Sequence, residues 1–529
     1  MGCQLESKQP AKSSLARSAG IVSGATLISR VLGLVREQVT AYLFGASDAV
    51  DAFKSAFRIP NLLRDMFAEG ALSAGFIPIF SEKLRSGSKE EAIRFAGLVF
   101  GAMTAIVAVV VLLMMMLTPQ LVTLIAEGFE QVPGKLDSTI TMARFMMPFL
   151  LMVSLAALLM GILNSLGKFF VPAIAPAMMN LGMIICSVAL TPFVDPPVLS
   201  LAIGVLVGGA AQFFVQYLAL KKAGFRFPLI IDFANPDLLR LFLLILPTTI
   251  GLAATQINVA VINRIASTDS GAVSYLDYAF RLLHLPLGLF AIAIATVALP
   301  RLSAEAAAGN DSQFGYIHSS ALRLGLFLSL PATVVMLLLS EQICAAVYQY
   351  GAFTSEDTIH TARALAMYAF GLPFFTLVRI TVPAFYALKD TRTPAIISLI
   401  SVLANILMCF QLRDNFGFAG LALAASLAGV VNFVLLTYLL RKRIRIIEDG
   451  PVLKALLRIV AATVLTGAVV WLSREFVIEP YIADKAHHIF ELILLGGIAI
   501  VAFVASCFLL GVEELSQITK KLKGRFGRT

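Results

Sequence analysis

The sequence predicts an all-α polytopic membrane protein: fourteen transmembrane helices, arranged as two parallel six-helix lobes around a central cationic cavity, plus two extra C-terminal helices. Three observations lead there. The 529-residue chain is 59% hydrophobic and only 14% charged, with a mean hydropathy of +0.88, whereas a soluble protein carries roughly 25% charged residues. Its apolar residues fall into fourteen segments, each long enough for a bilayer core that takes about 20 residues to cross. The second half of the chain also echoes the first at an offset that is constant within one residue.

The segments run over 19–44, 50–80, 92–117, 139–166, 171–192, 197–220, 238–266, 271–300, 318–346, 358–388, 394–412, 416–440, 452–473 and 488–511. The first two and the eighth are the least hydrophobic, because they carry charges. Basic residues gather in every second loop. Lys83, Arg85, Lys89 and Arg94 follow the second segment, and Lys168 the fourth. Lys221, Lys222 and Arg226 follow the sixth, Arg301 the eighth, and Lys389 and Arg392 the tenth. Arg441, Lys442, Arg443, Arg445 and Lys454 follow the twelfth. The intervening loops are acidic or bare, with Asp48, Glu127, Glu130, Asp137, Asp195, Asp269, Glu356, Asp357, Glu475, Glu479 and Asp484, and Lys135 as the exception. By the positive-inside rule the even-numbered loops and both termini are cytoplasmic, and the net charge of +9 reports those loops rather than nucleic-acid binding. Residues 1–18 then form a cytoplasmic tail without the apolar region of a cleavable signal, and 512–529 a basic cytoplasmic tail. No loop exceeds about 25 residues, too few for a separate soluble domain.

The repeat sets the domain organisation. Asn164-Ser165-Leu166 with Pro172-Ala173-Ile174 recurs as Tyr386-Ala387-Leu388 with Pro394-Ala395-Ile396, an offset of 222 residues (386 less 164). Ala56-Phe57-Arg58 recurs as Ala279-Phe280-Arg281, and Pro78 and Ser81 recur as Pro300 and Ser303. The offset spans six segments, so both copies keep one orientation, as in parallel repeats related by an axis along the membrane normal. Residues 19–222 are therefore an N lobe of six helices and 238–441 a C lobe of six. Residues 452–511 add two helices outside the repeat.

Two facing bundles are transporter architecture, with the substrate site near the midplane and at interrupted helices. The stretch from Ser29 to Phe80 marks that site. It carries Arg30, Arg36, Asp51, Arg58, Arg64 and Glu69 in apolar surroundings, where each charge costs at least about 2.5–3.5 kcal/mol on insertion scales. Gly33 lies between Arg30 and Arg36, Pro60 between Arg58 and Arg64, and Pro286 follows Arg281, as candidate interruptions. Arg30 and Arg36, six residues apart, diverge by about 120° on a straight helix. Asp51 and Arg58, seven apart, share a face and are able to pair. Arginine offers a fixed fork of donors and keeps its proton, which suits phosphate and carboxylate. Arg30, Arg36, Arg64 and Arg281, drawn from both halves, are the candidate grip on an anion. Snorkelling to the interface and internal ion pairs with Asp51 or Glu69 are the competing roles.

Other features point less far. Asn263 and Asn405 are candidates for holding a cation and, with Asn258, equally for hydrogen bonds across helices. His284 is open to a proton relay or to an interior structural role. Cys3, Cys186, Cys344, Cys409 and Cys507 show no paired spacing, which argues against a disulfide or metal set. Gly161 to Lys168 departs from the P-loop spacing, and hydrolase motifs are missing, so a secondary transporter rather than an enzyme is expected. No cofactor is expected, save a coupling cation (Na+ or H+).

SRVLGLVRE, DAFKSAFRIPNLLRDMFAEGALSAGFIPIF and AFYALKDTRTP, with the fourteen-span plan, resemble the MurJ (MviN) lipid II flippase family of the multidrug/oligosaccharidyl-lipid/polysaccharide exporter superfamily. The resemblance covers almost the whole chain after residue 18. It implies a non-enzymatic transporter of the bacterial inner membrane. The cargo would be lipid II, the undecaprenyl-pyrophosphate-linked disaccharide pentapeptide of peptidoglycan, moved from the cytoplasmic to the periplasmic leaflet by alternating access. It also implies a hydrophobic groove at 452–511 for the lipid tail, and membrane lipid and cell-wall synthesis proteins as partners. It carries cavity roles to Arg30, Arg36, Asp51, Arg64, Glu69 and Arg281, while Arg58 is assigned a supporting role with Asp51 and Glu69. Phe280 stands where the family often has an acid before the arginine, and Cys409 where it often has an amide after Asn405. Sibling functions, namely export of another polyprenyl-linked glycan or drug/cation antiport, are the alternative, and a membrane glycan polymerase is more remote.

Overall fold

The computed structural model describes residues 12–65, 71–86, 88–444, 449–478 and 488–516. Within them the chain is helical, in two compact units. The first comprises Met1–Phe44 and Asp48–Gln256, and the second Gly45–Ser47 and Ile257–Thr529.

The first unit holds α1 (Lys12–Phe44), α2 (Asp48–Arg64), α3 (Ala71–Ser86), α4 (Lys89–Ile125), α5 (Lys135–Met146), α6 (Pro148–Ser165), α7 (Phe170–Leu190), α8 (Leu199–Lys222) and most of α9 (Pro236–Ala266). Local chemistry sets several of these ends. Ser88 caps α4 by accepting from the Glu91 amide at 3.1 Å, and Glu90 and Glu91 add negative charge at the positive end of the helix. Lys221 and Lys222 close α8 at the opposite pole. In lipid, helices associate through close packing rather than through the hydrophobic effect, and α7 and α8 meet through small residues. A Cβ built on Gly182 would stand 2.6 Å from the Gly208 Cα, and one on Gly204 2.6 Å from the Met183 Cα. Side chains there would force the two backbones apart. Phe76, Phe80, Phe95, Val99, Leu158 and Ile162 join α3, α4 and α6 in a common core.

The second unit holds the end of α9 with α10 (Ala272–Ala308), α11 (Asp311–Leu338), α12 (Ser340–Tyr348), α13 (Ser355–Ala369), α14 (Leu372–Ala387), α15 (Arg392–Phe416), α16 (Ala419–Arg443), α17 (Asp449–Ser473) and α18 (His488–Leu509). A capping box opens α13. The Thr354 hydroxyl accepts from the Asp357 amide at 3.1 Å, and the Thr354 amide donates to the Asp357 carboxylate at 2.9 Å. Phe314, Phe327, Ile380, Phe385, Ile459 and Phe503 tie α11, α14, α17 and α18 into one core.

Among the described residues, ten helical stretches are long and apolar enough to cross a membrane, or eleven if α13 and α14, bent by 44° at their junction, count as one. The chain is thus a multi-pass membrane protein. α10 is in that set, although its sequence placed it among the least hydrophobic segments. The segment 50–80 is described as α2 and α3, with 66–70 outside the described residues. One expectation about breaks is corrected. Gly33, Pro60 and Pro286 do not end helices, since α1, α2 and α10 run through them. Membrane helices tolerate such residues because neighbouring groups satisfy the backbone atoms that proline releases.

The repeat has a backbone signature. After α6 the Lys168 amide reaches back to the Leu163 carbonyl at 2.9 Å around Gly167, at φ +73°. After α14 the Asp390 amide reaches back to Phe385 at 2.9 Å around Lys389, at φ +59°. Every residue in the second closure lies 222 positions after its counterpart in the first. Both are left-handed helix terminations of the Schellman type.

Candidate functional site

In the first unit several charged residues of α1 and α2 pair with groups on the same or on other helices. Arg36 is 7% exposed. Its Nη1 donates to Asn180 Oδ1 on α7 at 3.0 Å, and its Nη2 pairs with Glu37. Asn180 Nδ2 in turn donates to the Ser29 carbonyl at 3.1 Å, which ties α7 to α1 on both sides of the guanidinium. Lys54 of α2 lies 3.9 Å from the other Glu37 oxygen. One cation of α1 and one of α2 therefore share this acid. Arg30 is exposed where Arg36 is buried, as their spacing requires on a continuous α1. Among the described residues no hydrogen bond or ion pair holds the Arg30 guanidinium.

Asp51 is fully buried and 3.1 Å from Lys135 Nζ. Lys135, at the start of α5, also pairs with Asp48 at 2.6 Å and lies 4.1 Å from the centre of the Phe129 ring. The partner found for Asp51 is thus a lysine that the sequence places in a loop, in addition to any role of Arg58. Arg58 is half-buried on α2. Arg64, half-buried at the end of α2, sends Nε and Nη2 to one oxygen of Asp65, at 3.2 and 2.9 Å, and Gln256 donates to the other at 3.3 Å. Glu69 lies outside the described residues.

In the second unit Arg281 is exposed on α10. Asp277 stands one turn before it, on the same face by its i,i+4 spacing. His284 lies in the field of Arg379 on α14, of Arg281 and of Asp277, and its Nδ1 is 3.1 Å from the Phe280 carbonyl. The Phe280 ring packs edge-on against His284, with centroids 4.3 Å apart, and beside Tyr368 at 5.3 Å.

Of the two cation candidates, Asn405 makes a hydrogen bond across helices. Asn405 Nδ2 donates to Asn258 Oδ1 at 2.9 Å, joining α15 to α9, and the Cys409 thiol lies 3.7 Å from Asn405 Oδ1. Asn263 is buried. Among the described residues no three His, Cys, Asp or Glu side chains come together as a metal site. Along α18, Phe490, Ile493, Gly497, Val501 and Leu509, with Val469 of α17, line an apolar groove of about 750 Å³.

Glu37, Lys54, Asp65, Lys135, Asn180, Asp277 and Arg379 were not singled out from the sequence. Asn180 and Arg379 had a detectable signal, each being a polar residue inside an apolar segment. Lys135 had the weaker one of a lysine in an otherwise acidic loop.

This architecture is that of a known transporter class. An inward-facing multidrug resistance MATE family transporter of the MOP superfamily superposes with TM-score 0.69 at 14% identity, over 82% of this chain and 99% of that one. A lipid II flippase MurJ in an inward closed conformation superposes with TM-score 0.78 at 29% identity, over 92% and 98%. The sequence model of the family Lipid II flippase MurJ matches residues 40–489. A probable lipid II flippase MurJ of Rhizobium meliloti is 36% identical over 96% of each chain, and one from Vibrio cholerae is 33% identical over 94% of this chain and 97% of its own. The chain belongs to the MurJ family of lipid II flippases, and is therefore a membrane transporter and not an enzyme.

Proposed function

We infer that this protein moves lipid II across the bacterial inner membrane for peptidoglycan synthesis. The observation that carries this reading is the family match over residues 40–489. The buried charges of α1 and α2 give it a physical basis. The pyrophosphate of lipid II must pass a low-dielectric layer, where an unpaired ion costs several kcal/mol even after relaxation. Arginines held ready in wet surroundings lower that barrier, while the polyprenyl tail stays in lipid.

In this reading α1, the α2–α3 pair and α9 cross the membrane together with the eleven stretches above, giving fourteen spans in two six-helix lobes plus α17 and α18. Both termini are cytoplasmic, as the basic loops require. Arg36, Arg64 and Arg281 bind the pyrophosphate during the cycle. Arg30 supports or gates them, and Asp51, Arg58 and Glu69 orient the cations. The groove along α18 takes the undecaprenyl tail. Alternating access is powered by the membrane potential or an ion gradient, with Na+ or H+ as the coupling cation.

The test is complementation in a bacterium whose own lipid II flippase is shut off, scoring lipid II at the outer face. Wild type restores outward lipid II, Arg64→Ala does not despite normal abundance, and Arg64→Lys is also impaired because a point charge cannot replace the fork. Failure of correctly inserted wild type would transfer the assignment to a sibling glycan or drug exporter. Full activity of Arg36→Lys, Arg64→Lys and Arg281→Lys would remove the forked grip from the mechanism.

A further inference from the structure

A charged cavity lies in the second unit, apart from the residues discussed above. It has a volume of about 300 Å³ and is lined by Tyr316 and Arg323 of α11, Lys454 and Arg458 of α17, and Glu513 and Glu514 just past α18. Lys454 and Arg458 lie near the start of α17 and Glu513 and Glu514 just past the end of α18, while Arg323 lies midway along α11, so the cavity runs inward from helix ends that lie near a bilayer surface. Its size is at the lower end of the roughly 300–1,000 Å³ of ligand pockets, enough for a headgroup rather than a whole lipid.

The charges are arranged in depth. Arg323 is 8% and Glu514 6% exposed, and Arg323 Nε stands 3.6 Å from Glu514 Oε1, too far for a hydrogen bond. Arg323 Nε and Glu514 Oε2 both lack a hydrogen-bond partner although they are buried. Arg458 donates to the Gly511 carbonyl at 2.9 Å, and its Nη1 is 3.9 Å from Glu513. Lys454 is exposed at the rim, and no acid pairs with it among the described residues. Three cations against two carboxylates leave one net positive charge. A basic pocket between membrane helices at the lipid-headgroup level is a recurring site for anionic headgroups. Gly511 is also two residues beyond Leu509, the last lining residue of the apolar groove, so a headgroup here lies beside a surface suited to acyl chains.

We propose that this cavity binds the phosphate of an anionic phospholipid, with Lys454 and Arg458 meeting the phosphate and Arg323, braced by Glu514, supplying positive charge beneath it. The source is the bilayer rather than free phosphate. The test is calorimetric titration of the full-length protein in detergent micelles with dihexanoyl phosphatidylglycerol, dihexanoyl phosphatidylcholine and inorganic phosphate. Phosphatidylglycerol binds, and phosphatidylcholine and inorganic phosphate each bind at least tenfold more weakly. Lys454→Glu lowers phosphatidylglycerol affinity about thirtyfold, because reversing one basic residue removes about two charge contributions. Arg458→Gln, which keeps a donor for Gly511, lowers it less. Lys454→Ala guards against misfolding, since Lys454 is exposed, and should show a smaller loss with an unchanged melting temperature. Equal affinity for the two lipids, or wild-type affinity in both Lys454 variants, overturns the site. Inorganic phosphate binding as tightly as phosphatidylglycerol overturns the lipid source.

Discussion

Lys135 and Asp51 form a buried ion pair, 3.1 Å apart, between the first turn of α5 and the first turn of α2. Eighty-four residues separate them in the chain. With Asp48 on the same ammonium and the Phe129 ring on its flank, the lysine has every contact a buried cation needs. Breaking such a pair leaves one charge buried and uncompensated, which costs about 3–5 kcal/mol. Lys135→Met and Asp51→Leu should each destabilise the protein strongly, and the double variant by clearly less than their sum. Thermal unfolding in detergent gives the cycle, and simple additivity would show that the two charges do not act as a pair.

Asn180 has no charge, yet it fixes the direction of Arg36. Removing its acceptor takes one hydrogen bond from a buried cation, worth about 1.5–3 kcal/mol. Asn180→Ala should therefore lower transport roughly ten- to a hundredfold, with protein abundance near wild type. Asn180→Gln, which keeps the amide on a longer arm, should recover part of it. Complementation titrated by expression level measures both, and wild-type transport by Asn180→Ala would detach Asn180 from the site.

The turn after α14 predicts an acid-sensitive element. Burial pushes the Asp390 carboxyl up. The Thr393 side chain and amide, Arg443 and the Arg392 amide outweigh this and hold it below its ordinary 3.8. Arg443 lies 2.7 Å away, and the two amides at 3.1 and 3.0 Å. Because the folded value is depressed, the stabilisation is fully present above the unfolded value and is lost as pH falls through the folded one. Melting temperatures from pH 7 to pH 3 should fall more steeply below pH 4 for wild type than for Asp390→Asn. Parallel curves would rule this contribution out.

Lys389 holds a left-handed conformation that its repeat partner Gly167 adopts without penalty. The Cβ clash costs about 1–2 kcal/mol in that region, partly offset by the greater freedom of glycine when unfolded. Lys389→Gly should raise stability by about 0.5–1 kcal/mol, and Gly167→Lys should lower it. A fall in melting temperature for Lys389→Gly would mean that the lysine side chain has a stabilising contact exceeding the strain.

The parts of the site that were legible in the sequence were the expensive ones. Arg36 and Asp51 stand out because a charge inside an apolar segment is rare and costly whatever the fold. Their partners were not legible in the same way. Glu37 adjoins Arg36, but adjacency alone does not make a pair, since neighbours on a helix point about 100° apart. Lys135 read as a loop residue because a lysine at a span boundary is ordinarily solvated, and only the packing of α5 on α2 turns it inward. The break expected at Pro286 failed for a related reason: sequence shows that a proline lacks a donor, not whether neighbouring groups compensate.

By itself, the sequence determined that this chain lives in a membrane as bundled helices, that short motifs of its first half recur in its second, and that it belongs among the lipid II flippases. Those properties rest on composition, period and motif, which are local or repeat along the chain. Tertiary structure alone decided which of the charged residues are held and by what: Arg36 by Asn180 and Glu37, Asp51 by Lys135, Arg64 by Asp65, and Arg323 by Glu514. Apart from the neighbours Glu37 and Asp65, these partners lie on different helices. In a low-dielectric interior a charge is stabilised by whichever dipole or counter-ion the packing brings within about 3–4 Å, and no spacing along the chain encodes that distance.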